Sequence, residues 1–258
     1  MTKIEIKGLC FAYDKQPILQ NLSLDIQAET INVLLGLNGS GKTTLIKLIV
    51  GILQSKQGQI MINGNDIAKL SSIELSKSIS YVPQQISDDN DFLVLDYLTF
   101  GRMNSIKFYS SPKKEDYEKA ITIARELGIE QLLNKKMNEL SGGQRQLVVI
   151  ARAVVQDSEI IVMDEPTSSI DYKYLDRVIR YLNHLQHQGK TIILSCHNPS
   201  IPLLLNSNVI ILEQGNLKIQ GVARNILTNE LLKEVYECEL ISVSELPYQE
   251  VSLCPVEN

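Results

Sequence analysis

The sequence lacks several features that would assign it to a specialised class of protein. Its 258 residues contain no tryptophan, only 5% aromatic residues and four cysteines, Cys10, Cys196, Cys238 and Cys254, with no Cys-x-x-Cys pair. This spacing matches neither a zinc knuckle nor a disulfide framework, so we expect free thiols in a reducing compartment. Cys196 closes an apolar run, and we expect it to be a small buried hydrophobe rather than a nucleophile.

Long apolar runs and an excess of positive charge are also missing. The longest apolar candidates, residues 147–155 and 202–212, fall short of the ~20 residues that a membrane helix needs. The first six residues alternate like a strand and lack the apolar core of a signal peptide, so we expect the protein to stay where it is made. The net charge is −5, whereas a general nucleic-acid binder is strongly basic or carries a basic stripe, so no nucleic-acid partner is expected.

The apolar residues that are present predict an α/β fold with a parallel sheet. Ile31–Leu35 is a continuous apolar run, and a helical pattern begins at Lys42 after a short glycine-rich turn. Further on, the apolar runs Ile160–Met163 and 191–194 flank an amphipathic helix at about residues 172–188. Strand, helix and strand in that order indicate parallel strands of one sheet.

Other segments predict antiparallel strands and a helical insert. Asn63-Gly64 and residues 214–216 are hairpin signals, because these residue types tolerate positive φ. Residues 88–150 have charged helical patterns and few strand signals, which indicates an insert of helices. Within it, Ser111 is predicted as an N-cap, with Pro112 at the first helical position.

The turn after Ile31–Leu35 fits the phosphate-binding pattern G-x-x-x-x-G-K-[ST]. Its glycines allow backbone N–H groups to face one anion, Lys42 reaches the outer phosphates, and the Thr43 hydroxyl holds Mg²⁺. A dinucleotide fingerprint is excluded, because Thr44 stands where that pattern requires glycine. The predicted ATP-binding residues here are Gly36, Leu37, Asn38, Gly39, Ser40, Gly41, Lys42, Thr43 and Thr44.

Two carboxylates follow the apolar run Ile160–Met163. Because ligands of open parallel sheets bind beyond the carboxyl ends of the strands, Asp164 and Glu165 are expected to face the nucleotide. Asp164 is predicted to hold Mg²⁺ directly or through water. Glu165 is predicted to orient and deprotonate the attacking water, as the general base of hydrolysis.

A third motif, Leu-Ser-Gly-Gly-Gln at residues 140–144, opens a helix and offers a second anion-binding helix start. Together with the phosphate loop and the two carboxylates, it resembles the signature of ATP-binding cassette (ABC) ATPases, whose motif order fits nearly the whole chain. The resemblance implies a P-loop NTPase core, a RecA-like parallel sheet with an antiparallel β subdomain, at residues 1–87 and 150–225. It also implies an inserted helical subdomain at 88–149, and a C-terminal helix and tail at 226–258.

The resemblance further implies roles for residues that are weak signals alone. In that family the signature of one subunit, here Ser141, Gly142, Gly143 and Gln144, closes over the γ-phosphate held by a second subunit. By position, Gln84 matches the glutamine at the magnesium site, and His197 the histidine at the γ-phosphate. Tyr13 matches the aromatic residue that stacks on adenine, and Asp171 the aspartate that communicates across the dimer. The departures from the family pattern, Leu37, Ile170 and Asn198, remove no catalytic group.

The same resemblance implies cofactors, partners and a location. A homodimer at the cytoplasmic face of the membrane would bind ATP with Mg²⁺. It would drive separate permease subunits, and an extracytoplasmic substrate-binding protein would deliver the cargo to them. Residues 70–84, 96–102 and 231–236 look like those of the ATPases of iron-siderophore, haem and cobalamin importers, and zinc or manganese importers are close relatives. A soluble ATP-gated clamp acting on nucleic acid is a second hypothesis. A GTPase is disfavoured, because residues 134–137, Asn-Lys-Lys-Met, lack the guanine-reading aspartate.

Overall fold

The computed structural model describes residues 2–84, 91–105, 111–168 and 170–236. Its strands are β1 (Thr2–Tyr13), β2 (Gln16–Gln27), β3 (Ile31–Leu35), β4 (Gln57–Ile62), β5 (Asn65–Asp66), β6 (Ile79–Val82), β7 (Ile160–Met163), β8 (Thr191–Ser195), β9 (Asn208–Glu213) and β10 (Asn216–Val222). Its α-helices are α1 (Lys42–Ile49), α2 (Ser72–Ser78), α3 (Val94–Thr99), α4 (Lys114–Glu126), α5 (Gly142–Val155), α6 (Tyr172–His187), α7 (Ser200–Leu204), α8 (Ala223–Ile226) and α9 (Asn229–Tyr236). The expectations for Cys238, Cys254 and the tail beyond residue 236 lie outside the described residues.

The larger sheet has the strand order β10-β9-β3-β8-β7-β6. All neighbouring pairs from β9 to β6 are parallel, and β10 closes one edge as the antiparallel arm of a hairpin. The predicted parallel sheet is therefore confirmed. Both central residues of the β9–β10 turn have positive φ, 47° at Gln214 and 81° at Gly215, which matches the right-handed twist of the strands.

The smaller sheet is antiparallel, in the order β2-β1-β4-β5. Its β4–β5 turn is the predicted Asn63-Gly64 pair, with φ of 49° and 77°.

Each face of the larger sheet is covered. Alternate residues of β3 point to opposite sides, so Val33 and Leu35 pack against α3 to α6, while Leu34 packs against α1 and the smaller sheet.

The described residues between 94 and 155 form the helices α3, α4 and α5 and no β-strand, as the sequence predicts for a helical insert. The predicted start of α4 is wrong, because the helix begins at Lys114 rather than at Pro112. The Asp116 carboxylate accepts a hydrogen bond from the Lys113 N–H (2.9 Å) and pairs with Arg102 (3.1 Å), and these contacts place the first turn after Lys113. α5 runs without a break across residue 149, where the sequence predicts a subdomain boundary.

No helix in the described part of the chain is both long enough and apolar enough to cross a membrane.

Candidate nucleotide-binding and hydrolysis site

The strand order brings four sequence motifs to one edge of the larger sheet. The phosphate loop follows β3, His197 follows β8, Asp164 and Glu165 follow β7, and Gln84 follows β6. These four strands are consecutive neighbours, so their carboxyl ends lie side by side. A cleft of about 480 Å³ opens there. Its lining consists of Gly36, Leu37, Asn38, Gln84, Glu165, His197 and Tyr236.

Two glycines of the phosphate loop are required by backbone conformation and by close packing. Gly36 has φ of 144°, and a Cβ there would stand 2.3 Å from the carbonyl oxygen of Leu212. Gly41, the N-cap of α1, has φ of 101°, and a Cβ there would stand 2.8 Å from Leu19 Cδ2. A side chain at either position would force the loop to shift, so glycine is required at both positions for steric reasons.

Lys42 is buried inside this loop. Its Nζ donates hydrogen bonds to the carbonyl oxygens of Gly36 (2.8 Å) and Leu37 (3.0 Å). Burial lowers the pKa of Lys42, and the neighbouring Glu165 carboxylate opposes that shift in part. An ammonium group held at the start of a helix, with little solvent around it, is arranged to bind an anion strongly.

Asp164 and Thr43 meet directly at the base of the site. Thr43 Oγ1 donates to Asp164 Oδ1 at 3.1 Å, and Ser195 Oγ donates to the same oxygen at 2.6 Å. The other oxygen, Oδ2, is buried and has no hydrogen-bond partner among the described residues. A buried carboxylate oxygen without a partner costs free energy unless a cation or an ordered water contacts it.

Glu165 is held in a strained conformation next to Asp164. Its φ of 47° costs a residue with a side chain roughly 1–2 kcal/mol, and its backbone N–H donates to Ser195 Oγ at 2.9 Å. His197 Nδ1 lies 3.4 Å from Glu165 Oε2. The carboxylate, the imidazole and the phosphate loop thus face one cleft, which is the arrangement that a general base beside a bound phosphate requires.

Sequence reasoning missed Ser195, the last residue of β8. This fully buried serine accepts from Glu165 N–H and donates to Asp164, so it fixes both carboxylate residues relative to each other. The sequence did offer one signal for Ser195, since it is a polar residue at the carboxyl end of an apolar parallel strand. Ser195 matters, however, only because β8 lies beside β7, and the local sequence pattern does not predict that pairing.

Cys196 follows Ser195 and is buried, as expected. Burial raises the pKa of its thiol to about 12, so the thiol stays protonated at neutral pH and is a poor nucleophile. Cys10 and Cys196, the two cysteines in the described ranges, are both free thiols, which agrees with the expectation for these two residues.

The predicted signature residues form a second helix N-terminus, away from the cleft. Ser141 is the N-cap of α5, where its Oγ accepts from Gln144 N–H (3.3 Å) and its own N–H donates to Gln144 Oε1 (3.2 Å). Gly142 is exposed, and a Cβ there would meet no described atom within 4 Å. A Cβ at Gly143 would stand 2.8 Å from the Tyr174 ring. Ser141 to Gln144 are not among the residues lining the cleft.

Tyr13 and Asp171 also lie outside the cleft lining. Tyr13 ends β1, is 44% exposed and packs edge-on against Phe11 at 5.0 Å, so it is a surface aromatic rather than a core residue. Asp171 is the N-cap of α6 and accepts a hydrogen bond from Tyr174 N–H at 3.0 Å. Its capping role is structural, and its carboxylate is exposed on the surface.

Comparisons with known proteins place this site in a family. The family model described as ABC transporter matches residues 19–168. An "Uncharacterized ABC transporter ATP-binding protein" of Haemophilus influenzae is 36% identical over 233 residues, covering 90% of this chain and 89% of that protein. A "Probable iron chelatin transport ATP-binding protein" of Helicobacter pylori is 30% identical and covers 93% and 95%. Other relatives are named for molybdate import in H. influenzae (34%) and for manganese transport in Bacillus subtilis (32%).

Solved structures agree with this assignment. An inward-facing transporter assigned to the metal-chelate type contains a chain that is 33% identical, with a TM-score of 0.80 over 92% of this chain and 89% of that one. A dimeric ATP-binding cassette in a post-hydrolysis state, bound to ADP and phosphate, is 25% identical, with a TM-score of 0.75 over 86% and 99%. The P-loop NTPase fold that the motifs imply is therefore confirmed. The chain belongs to the ABC transporter family and is an ATP-hydrolysing, ATP-binding subunit of that family.

Proposed function

We propose that two copies of this chain bind two ATP molecules between them and use their hydrolysis to drive a membrane permease that imports a metal chelate. The observation that carries the proposal is the separation of two anion-binding helix starts within one chain. One lies at the phosphate loop, and the other, at Ser141 to Gln144, is exposed and outside the cleft. A second copy would bring its own signature helix to the open side of the bound phosphates.

In this proposal Glu165 removes the proton from the attacking water. Its main chain is fixed by Ser195, and its carboxylate lies beside His197, which would contact the γ-phosphate. Lys42 would exchange its contacts with the loop carbonyl groups for phosphate oxygens. Tyr13 would stack on adenine at the exposed end of β1, and Asp171 would communicate with the second copy.

We propose that Thr43, Asp164 and Gln84 hold Mg²⁺. The unpaired Oδ2 of Asp164 and the adjacent Thr43 hydroxyl are hard oxygen donors, which suit this ion. The described residues contain no cluster of three or more His, Cys, Asp or Glu side chains, so phosphate oxygens and water would complete the coordination. When bound, the ion neutralises charge that develops on the transferred phosphoryl group.

An iron-siderophore, haem or cobalamin is the proposed cargo. Support comes from the iron chelatin relative and from the metal-chelate transporter chain, which cover most of this sequence. Zinc or manganese import is the alternative, and relatives named for manganese and molybdate have similar identity. The cargo would pass through separate permease subunits at the membrane, delivered by an extracytoplasmic substrate-binding protein, so no residue described above selects it.

An apolar surface near the helical insert is the proposed contact with the permease. A groove of about 360 Å³ lies between the end of α1, helix α2 and the carboxyl end of α5. Ile52, on the groove, is 57% exposed, and nearby Ile73 and Met103 are 66% and 54% exposed. Large exposed apolar side chains grouped in this way are typical of a docking surface. A permease helix resting here would place this chain at the cytoplasmic face of the membrane.

The test is a mild-detergent pull-down of the tagged chain, with the partners identified by mass spectrometry. We expect a many-helix permease, and its identity would narrow the cargo to chelated metal, cobalamin or a bare ion. Ile52→Glu is expected to lose the permease while ATPase activity is retained. Val222→Glu, at an exposed apolar position of β10, is the matched control and is expected to retain the permease. Recovery of only soluble or nucleic-acid-bound partners would contradict the transport proposal and favour the clamp.

A further inference from the structure

The C-terminal helix α9 contributes one residue to the cleft. Of the described residues that line the cleft, Tyr236 alone belongs neither to the phosphate loop nor to the loops after β6, β7 and β8. It lies 39 positions beyond His197, and none of the motifs above includes it in a catalytic role. The phenolic oxygen of Tyr236 is shielded from solvent, so its ring is the part that meets the cleft.

α9 is fixed at this place by apolar packing and by charge. Leu232 and Val235 are buried in the core on the α5 and α6 side of the large sheet. Thr228 begins the helix by accepting from Leu231 N–H with its hydroxyl and from Leu232 N–H with its carbonyl oxygen. Tyr236 therefore extends from an anchored helix rather than from a loose end.

The same helix is linked to the phosphate loop. Lys218 Nζ contacts Glu234 of α9 at 2.7 Å and Glu213 at the end of β9 at 2.8 Å. The β9–β10 turn then reaches the loop, because Gly215 N–H donates to the carbonyl oxygen of Ser40 at 3.3 Å. Glu234 and Val235 also line a smaller cavity shared with residues 37–40. A continuous set of contacts thus joins α9, the turn and the loop.

We propose that Tyr236 is a positioning residue for ATP hydrolysis, and this inference rests on the hydrolytic site proposed above. Its ring lines the same cleft as Glu165 and His197, where it would limit the positions open to water beside these two side chains. Productive hydrolysis requires the attacking water within a few tenths of an ångström of its correct position, so a missing wall lowers the catalytic rate. The ring shape carries this effect, and the hydroxyl does not.

The test compares Tyr236→Ala and Tyr236→Phe in ATPase assays with the purified full-length chain. Tyr236→Ala is expected to lower kcat on the order of tenfold while the KM for ATP changes less than about threefold. Tyr236→Phe keeps the ring and is expected to retain kcat within about twofold. Tyr117→Ala is the matched control, because Tyr117 is a half-buried tyrosine on α4, outside the cleft lining.

ATP-dependent dimer formation by the same variants, in a Glu165→Gln background, separates positioning from assembly. Tyr236→Ala is expected to assemble as the parent does. Unchanged kcat in Tyr236→Ala, or loss of assembly, would overturn the inference, since the second result would make Tyr236 an interface residue. An equal loss of kcat in Tyr236→Phe would also overturn it. If Glu165→Gln alone hydrolyses ATP at the parental rate, the proposed site fails, and that result is independent of Tyr236.

Discussion

The molecule contains two helix N-termini suited to anions, and they are built in opposite ways. α1 begins at Gly41 without a side-chain cap, and its start is surrounded by the buried Lys42 and the loop carbonyl groups. α5 begins at Ser141 with a capping box formed within its own first turn, and Gly142 beside it faces open space. The start of α1 thus has a buried lysine side chain beside it, whereas the start of α5 presents backbone N–H groups with the Ser141 hydroxyl and the Gln144 side chain, and the Arg145 guanidinium donates to the Leu140 carbonyl oxygen at 3.3 Å.

In the proposed dimer, this difference makes each chain half of an ATP site. The phosphate loop is enclosed on the protein side by β3, β8 and β7 and is open on the other side as a cleft. We propose that the signature helix of one copy covers the phosphate loop of the other, so that the pairing of two copies completes both sites. We therefore expect the N-terminus of α1, the enclosed start, to serve ATP binding and hydrolysis, and the N-terminus of α5, the open start, to serve dimer assembly.

The largest expected effect is at the enclosed start. Glu165→Gln is expected to lower ATP hydrolysis by at least ~10²-fold, because the general base is lost, while ATP is still bound. Steady-state phosphate release and equilibrium binding measure the two properties. Glu159→Gln is the matched control, since Glu159 immediately precedes β7 whereas Glu165 follows it, at the opposite end of the strand. An undiminished rate in Glu165→Gln would exclude the proposed role.

Lys42→Ala is expected to weaken ATP binding itself. The loss of a charge-assisted hydrogen bond to phosphate, about 1.5–3 kcal/mol, corresponds to a Kd raised roughly 10- to 100-fold. Isothermal titration calorimetry measures this change. Lys47→Ala, in the last turn of the same helix, is the control and should bind ATP as the parent does. Binding by Lys42→Ala as tight as the parent's would contradict the phosphate-loop argument.

At the open start, we expect an added negative charge to weaken dimerisation more than an added methyl group does. Gly142→Asp is expected to weaken ATP-dependent dimerisation roughly tenfold, because it places a negative charge where a phosphate should bind. Gly142→Ala meets no described atom, and it is expected to dimerise normally. Sedimentation with ATP distinguishes them. Equal behaviour of the two variants would show that no phosphate approaches this helix start.

The last effect, on folding stability rather than on ATP binding or dimer formation, is expected at Ser195, inside the enclosed site. Ser195→Ala leaves Glu165 N–H without its acceptor and removes one of the two donors to Asp164 Oδ1, so we expect the free energy of unfolding to fall by about 1–3 kcal/mol. Ser80 is equally buried on β6, and its hydroxyl has no hydrogen-bond partner within the described ranges. Ser80→Ala should therefore cost little. Urea unfolding of both variants tests the contrast, which equal losses would contradict.

Local sequence patterns predicted the enclosed start well, because its chemistry is contiguous. The phosphate loop, the two carboxylates after β7 and the turns at Asn63 and Gln214 are short-range signals, and the structure has them where the sequence predicts. The subdomain division and the roles of all predicted site residues, including Tyr13 and Asp171, stay predictions.

Features that depend on distant partners could not be predicted in this way. Ser195 matters because β8 pairs with β7, and Tyr236 reaches the cleft because α9 is held by the core and by Lys218. The start of α4 is set by Asp116, which accepts from Lys113 N–H and pairs with Arg102 of a preceding segment, rather than by the Ser-Pro signal. Contacts with distant residues decided the first two positions, and a local cap together with Arg102 decided the third.

The most direct test of the composite site uses two variants that are each defective in one half. Both carry Glu165→Gln to prevent hydrolysis; one also carries Lys42→Ala, and the other Gly142→Asp. Native mass spectrometry with ATP should show little dimer for either alone, and a mixed dimer containing one ATP when they are combined. Only monomers in the mixture, or ATP-bound dimers formed as readily by either variant alone, would contradict the claim that each ATP is shared by two copies.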